Sequence, residues 1–537
     1  MICNEMKKIT IWLFVYLCFL SASAQKSTIK WSEEFAEEKG EHLGKVIYYD
    51  GKYLYVNVFV IDKHNFKNIK ETPGIIKFDS EMKPVKRQDY KADIASKEDV
   101  FFNGIHYLGG DFVMITNIYD KKTNTRELFA QKINKDNLKT EGKLVSIMKV
   151  TGEKRTDFDY DLSFSEDSSK LVINVNPIQK KKQYERFAFK IIDKDFKTVS
   201  EKSVELPYYD EDFRVSSIKV NSKNQLFLLA KAYKSGSKKE TMKDENSNKV
   251  ASYEVVLKKF STDGVVQDFN LDLSGKFLND FEMTLDKKGD LFLCGLYKAE
   301  DNEFVNGYFY FHLDGETGKV LHTNSFNFPL SFITHVNELE DDKTKGKNPG
   351  VSSRFSVSDL IVTDDGRIYT IFEKNWSVRT QNKYGNYFTY YSRGMIMMQM
   401  DMSGKQKWYH YVAKDQYYNS ITWYLSHTNM VLNDRLLVFY NDKTDNVHYN
   451  ISSKKMPKKF NEIKEMSFMG IDIDTNGKLE RKEFSNSAKM GTSPLISFCL
   501  QTGINKFLLY GFLPKKKLIS YDPSNGTNKL GMITFEQ

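Results

Sequence analysis

The chain has 537 residues, with 79 basic and 71 acidic side chains and a formal charge of +8. Both signs are scattered along it, which describes a solvated mixed surface and lacks the concentrated basic patch that nucleic-acid binding requires. The length permits several domains, but an all-β array of repeats can use all of it as one cooperative unit.

Residues 1–24 read as a secretory signal. Lys7 and Lys8 supply the positive start, 9–20 the apolar segment, and Ala22, Ser23 and Ala24 the small residues before a cut at Gln25. The apolar segment is short for a membrane span. The expectation is therefore an exported protein, periplasmic or extracellular, with no integral membrane segment once the signal is removed. Cys3 and Cys18 leave with the signal. Cys294 and Cys499 each sit in an apolar run, which predicts two buried free thiols rather than a disulfide.

The remaining chain, 25–537, is organised around one recurring stretch. Residues 52–60 (KYLYVNVFV) form a nearly unbroken apolar run entered through Asp50 and Gly51. Similar runs follow at 111–118, 170–175, 225–230, 290–297, 367–372, 435–440 and 506–513, most of them after a Gly, Asp or Asn turn. Taking Tyr53, Phe112, Leu171, Leu226, Leu291, Ile368, Leu436 and Phe507 as anchors, the spacing runs from 55 to 77 residues. Consecutive apolar positions suit a strand covered on both faces. Upstream of it lies an alternating strand, clearest at 212–220 (DFRVSSIKV). Downstream come two strands joined by a polar turn, as at 255–271 and 395–412. Four strands per repeat, labelled a to d, and eight repeats result.

By this repeat architecture the chain resembles the β-propeller superfamily, without the motif of any subfamily. The resemblance implies an all-β fold, a single propeller with eight four-stranded blades, seven being the alternative. Two closures of the ring stand open. The last blade either contains its own four strands between 495 and 535, or takes 29–35 (IKWSEEF) as its outer strand. In a propeller the a-to-b and c-to-d turns open on one face, and the b-to-c loops and d-to-a connections on the other. The long segments 234–251, 328–354, 375–394 and 442–465 all belong to the second kind, which makes that face the expected place for binding. The lysine pairs Lys454–Lys455 and Lys458–Lys459 read as solvated turns.

Three groups of residues carry candidate chemistry. Residues 472–483 (DIDTNGKLERKE) match a calcium-loop pattern through Asp472, Asp474, Asn476 and Glu483, with Gly477 at the sharp turn. Their alignment with c-to-d turns elsewhere favours an ordinary strand turn, so no cofactor is expected beyond that single candidate for calcium. Asp157, Asp159 and Asp161 alternate in TDFDYDL, and Asp99, Asp212 and Asp280 stand at comparable places before an a strand. If the positions are equivalent, such carboxylates would ring the channel mouth, where they could hold a cation or a basic ligand; the alternative is that they are polar strand starts. Residues 375–394 gather Trp376, Tyr384, Tyr387, Phe388, Tyr390 and Tyr391 beside Arg379 and Arg393. Aromatic rings and guanidinium forks suit a protein or glycan partner, while the alternation at 387–391 equally suits a β-hairpin packing on its own scaffold.

No nucleophile elbow, phosphate loop or dinucleotide fingerprint occurs, and the nine histidines show no close metal-ligand spacing. The resulting expectation is a secreted, non-catalytic binding or assembly protein whose long-loop face takes a protein or glycan. The alternative is an extracellular hydrolase or lyase using acidic residues at the channel mouth.

Overall fold

The computed structural model describes residues 27–36, 41–65, 68–90, 99–152, 158–177, 183–234, 240–243, 249–273, 275–299, 304–340, 350–382, 385–419, 421–514 and 526–536. Among them are eight antiparallel sheets of four or more strands, seven of which are meanders of strands a, b, c and d in chain order. The a strands of neighbouring sheets approach one another and so gather round a common axis. The protein is a β-propeller. Residues 1–26, which include the signal reading, lie outside the described residues. Among the described residues no helix is long and apolar enough to cross a membrane.

Alternation along each b strand explains how a single apolar run holds two interfaces. In the second blade, Phe112 and Met114 face the first blade and pack with Tyr55 and Ile75. Val113 and Ile115 face the third and pack with Leu171 and Ile173. Burying one such side chain contributes about 1.5–3 kcal/mol, and strand after strand repeats the arrangement around the ring. In six of the eight blades the run then reaches a polar residue that faces the following blade: Asn57, Asn117, Asn174, Lys231, Glu373 and Asn441 occupy this place. Several of them reach the next a strand or its entry. Asn57 Nδ2 donates to the Ile105 carbonyl at 3.3 Å, Lys231 Nζ to that of Leu278 at 3.3 Å, and Asn441 Nδ2 to that of Pro494 at 2.9 Å. These contacts fix the height of one blade against its neighbour.

Of the two closures, the structure has the one that uses the beginning of the chain. The last sheet takes Leu500–Gly503, Lys506–Pro514 and Gly526–Phe535 as a, b and c, and Ser27–Trp31 pairs antiparallel with Gly526–Phe535 as d. The closure with four strands of its own between 495 and 535 is corrected accordingly. Residues 526–535 are one strand paired on both sides, and 515–525 lie outside the described residues. The indole of Trp31 covers Gly531, where a Cβ would come within 2.7 Å of the ring.

The turns on the opposite face share one device. Asp79, Asp193, Asp286, Asp401 and Asp474 each accept backbone N–H groups from residues two and four places on, at 2.8–3.1 Å. A short side chain thereby replaces a backbone turn partner.

Because Ser27–Trp31 closes the ring, Trp31→Ala is expected to lower the unfolding free energy by about 2 kcal/mol. Urea titration checks this; a loss within error would mean that the N-terminal strand does not lock the ring.

Candidate functional site

Blade 6 departs from the pattern. Its b, c and d strands, Arg367–Asn382, Gly385–Asp401 and Gln406–Asn419, hold 16, 17 and 14 residues, against 8, 7 and 8 for Leu291–Lys298, Gly307–Leu313 and Val320–Asn327 of blade 5. The segment 375–394, expected as a long loop, is a hairpin that continues b and c. At 3.3 Å per residue it projects about 25 Å beyond the ring. Of the other long segments, the described part of 234–251 includes the short pairing of Thr241–Lys243 with Lys249–Ala251. Segment 328–354 holds the helix Leu330–Glu340, and 442–465 is mostly irregular.

Where the sheet leaves the apolar core, each face carries a buried group of charges. On the face toward blade 5, cross-strand partners Lys374, Arg393 and Asp415 form a row. Lys374 Nζ lies 3.2 Å from Glu340 of the helix, whose side chain is fully buried. Arg393 donates through Nε (2.9 Å) and Nη2 (3.1 Å) to Asp415, and its Nη1 lies 3.8 Å from Glu340. Tyr411 donates its hydroxyl to the same Glu340 carboxylate. Gly394 makes this approach feasible, since a Cβ there would sit 2.7 Å from Glu340 Oε1 and collide with the Tyr411 hydroxyl.

On the face toward blade 7, Glu373 is fully buried. It accepts from Asn375 Nδ2 (2.7 Å), Ser392 Oγ (2.9 Å) and the Ser426 hydroxyl, and pairs with Lys414 Nζ at 2.5 Å. His427, at the entry to blade 7, hydrogen-bonds through Nε2 with Asp359 of strand a (2.7 Å). Its Nδ1 lies 3.2 Å from Glu373 Oε1, within ion-pair range but out of line for a hydrogen bond. Burial alone would raise the Glu373 carboxyl, yet the adjacent Lys414 and His427 charges hold it well below the usual carboxylate range. Burial also acts against a charged His427, and the Glu373 and Asp359 carboxylates overcome it, moving the imidazole up to about 9. Lys414 is lowered by burial despite its partner. Each face thus balances two carboxylates with two cations, so neither leaves a bare buried charge.

Above the row of Lys374, Arg393 and Asp415 stands a second row, Trp376, Tyr391 and Tyr417, from the same three strands. Trp376 and Tyr391 stack with centroids 4.7 Å apart and planes 2° off parallel, and Tyr391 and Tyr417 follow at 5.8 Å and 24°. The rings stand upright and cover one another's faces. The exposed Arg354 places its guanidinium 4.9 Å from the Trp376 centroid. Nearer the tip, Val378, Tyr387 and Phe388 are exposed apolar side chains beside exposed Arg379. Tyr390 is turned to the other face and packs on the cluster shared by blades 7, 8 and 1. The hairpin reading of the aromatic stretch therefore accounts for Trp376, Tyr390 and Tyr391, leaving Tyr387, Phe388 and Arg379 outward. Tyr384 lies outside the described residues.

The acidic candidates are used differently. Asp280 reaches sideways and accepts the Val357 N–H (2.7 Å), with burial pushing its pKa up. Asp212 is buried in a 3-10 turn ahead of its a strand. Asp159 belongs to Phe158–Phe164, with its side chain outside the description, and Asp157 lies outside the described residues. In the calcium-loop segment, 474–478 is a turn between strands. Asp472 accepts from Arg435 Nε (2.7 Å), Asp474 holds its own turn, Asn476 is exposed, and Glu483 accepts from Ser467 Oγ (2.6 Å). Gly477 (φ +81°) packs where a Cβ would meet Trp408. Among the described residues no group of three or more His, Cys, Asp or Glu side chains is placed to hold a metal ion.

Sequence reasoning missed Glu340, Glu373, Lys414 and His427. The available signal was the acidic residue ending the apolar run RIYTIFE, followed by strands too long for one blade.

No protein-family model matches the chain, and no curated protein does. Solved structures that resemble it include the β-propeller domain of the Trilobed protease from Pyrococcus furiosus, at 11% identity and TM-score 0.34, covering 84% of this chain and 97% of that one. The polysaccharide lyase Uly1 resembles it at 11% and 0.35, covering 80% and 89%. The Penicillium chrysogenum α-L-arabinanase does so at 9% and 0.29, covering 70% and 99%. At these values the likeness concerns the fold, and no residue role is carried over.

Since His427 is raised in the folded state, the stability it contributes is fully present below pH 6.5 and is lost as pH rises through about 9. The full effect is about 3 kcal/mol. His427→Gln should flatten the stability profile over this window, measured by denaturant titration at successive pH values. Glu373→Gln, which leaves Lys414 buried without its charge partner, should cost about 3–5 kcal/mol in the same assay.

Proposed function

We propose that this protein is an exported binding protein that engages a macromolecular partner through its long-loop face, with the blade 6 hairpin as the contact. One observation carries the reading. A three-stranded extension is built outward, fixed at its base by balanced buried charges, and ends in exposed Val378, Arg379, Tyr387 and Phe388. Pre-ordering of the hairpin reduces the entropy lost on association, and aromatic and arginine side chains are frequent anchors of interfaces. Tyr387→Ala/Phe388→Ala removes side chains that support no core, so the fold should persist. Capture of the partner from envelope or culture fluid of the source organism should fall at least tenfold against wild type. Undiminished capture by the double variant would overturn the reading.

The non-catalytic part of the sequence expectation is not carried forward. The solved structures named above are, by their descriptions, the propeller domain of a protease, a polysaccharide lyase and an arabinanase, and their likeness concerns the fold. The hydrolase-or-lyase alternative has an observation of its own, at the opposite mouth of the channel. There a cleft of about 700 Å³ is lined by Glu166, Asp286, Asp364 and Asp365, with residues from blades 7 and 8 completing it. Burial and the neighbouring Asp286 push the Glu166 carboxyl up, while the hydrogen-bonded Arg367 holds Asp365 at about 2. Carboxylates with separated pKa values are what acid–base cleavage of a polymer uses. Assay of a polysaccharide panel for new reducing ends checks this. Activity that Glu166→Gln abolishes with an unchanged melting temperature supports it; a wild type inactive throughout the panel sinks it.

A further inference from the structure

The aromatic row of blade 6 has cations at both ends. At the inner end Arg354 stacks over Trp376 and carries no ion pair among the described residues, whereas Lys374 and Arg393 beside it are neutralised by Glu340 and Asp415. At the outer end Asn461 Nδ2 donates to the Tyr417 hydroxyl at 2.8 Å. Segment 442–465 is clasped to the sheet there: the Tyr417 N–H donates to the Phe460 carbonyl (3.0 Å), and the Phe460 N–H to that of Asp415 (2.8 Å). Tyr449 and Met456 of this segment pack on the core shared by blades 5 and 6, which puts the segment on the same side as the aromatic row. Lys458 is paired with Asp445 at 2.9 Å, while Lys454, Lys455 and Lys459 are exposed and without an ion pair among the described residues. The sequence reading took these lysines for solvated turns; in the fold they lie on the segment that Phe460 and Asn461 clasp to the outer strand of the aromatic row.

We infer that the strip running from Arg354 along Trp376, Tyr391 and Tyr417 to Asn461, Lys455 and Lys459 binds an anionic polysaccharide bearing carboxylates, such as a polyuronate. The inference rests on the reading that the long-loop face engages a partner and names that partner's chemistry. Stacking on the indole pre-sets the Arg354 guanidinium and leaves its N–H edge free for a carboxylate fork. The lysines supply point charges for further carboxylates along the same chain. Between the two ends the strip offers upright ring edges with the hydroxyl and amide groups of Thr380, Thr389 and Asn419, which suit sugar C–H and hydroxyl groups.

Two other polyanions fit the strip less well. Nucleic-acid bases need ring faces on which to stack, and both faces of Trp376 and Tyr391 are taken by neighbouring rings and by Arg354. An acidic peptide would gain most from strand addition at a free edge, and the edge of Gln406–Asn419 is occupied at 415–417 by Phe460.

The test is binding of the purified protein to polygalacturonate, with dextran as the neutral polymer and poly-L-glutamate as the acidic peptide. Polygalacturonate should bind with an affinity that falls as salt rises, and dextran and poly-L-glutamate at least tenfold more weakly. Arg354→Ala/Lys455→Ala/Lys459→Ala should lower polygalacturonate affinity at least tenfold with an unchanged melting temperature. Equal binding of poly-L-glutamate, no preference over dextran, or a triple variant that binds like wild type would each overturn the inference. If polygalacturonate is not bound while hairpin-dependent capture persists, this inference falls and the broader reading stands. If capture also survives the Tyr387→Ala/Phe388→Ala change, both fall.

Discussion

Everything in this molecule depends on burying each b strand on both faces at once. A single sheet with two apolar faces has no stable existence in water; set radially between two others, it loses both faces to neighbours. That requirement makes the interfaces between sheets alike. Even residues of the 112–115 run serve one interface and odd residues the next. It also explains the polar residue at the end of most runs, because there the sheet meets the entry of the following blade and an apolar side chain would leave backbone carbonyls without donors.

Blade 6 extends this scheme beyond the reach of apolar packing. Once strands rise above the ring, no neighbouring sheet covers them, and the base of the extension is covered instead by the helix Leu330–Glu340 on one side and the entry to blade 7 on the other. Buried charges become acceptable there only in balance, and the balance is kept separately on each face. Glu340 answers Lys374 and Arg393 together with Asp415, while Glu373 and Asp359 answer Lys414 and His427. The cost of removing one partner is far greater than the net benefit of the pair, so the arrangement fixes the hairpin's direction more than it adds stability. An orientation held in this way is what a projecting contact surface requires.

The calcium-like segment shows how local pattern and tertiary use separate. Asp474 stands where a ligand would, yet its carboxylate accepts N–H groups just as Asp79, Asp193, Asp286 and Asp401 do in their own turns. The spacing of acidic residues and glycine is shared because both structures need a tight turn with an acceptor at its start. The aromatic stretch is the converse case. Its residue types suggested open rings, and the register of three strands turned Trp376, Tyr391 and Tyr417 into a stack that closes both faces of Tyr391.

The sequence by itself determined the repeat and the two-faced b strands, because these follow from alternation and turn residues only a few positions apart. Tertiary structure decided how the ring closes, since pairing of Ser27–Trp31 with Gly526–Phe535 is a contact between chain ends that no local pattern encodes. It also decided the site. Glu340, Lys374, Glu373 and His427 come from separate turns of the chain, and Arg354 and Asn461 meet one aromatic row only after blade 6 has folded. Charge pairing acts through space, so its partners become visible only when the backbone has brought them within a few ångströms.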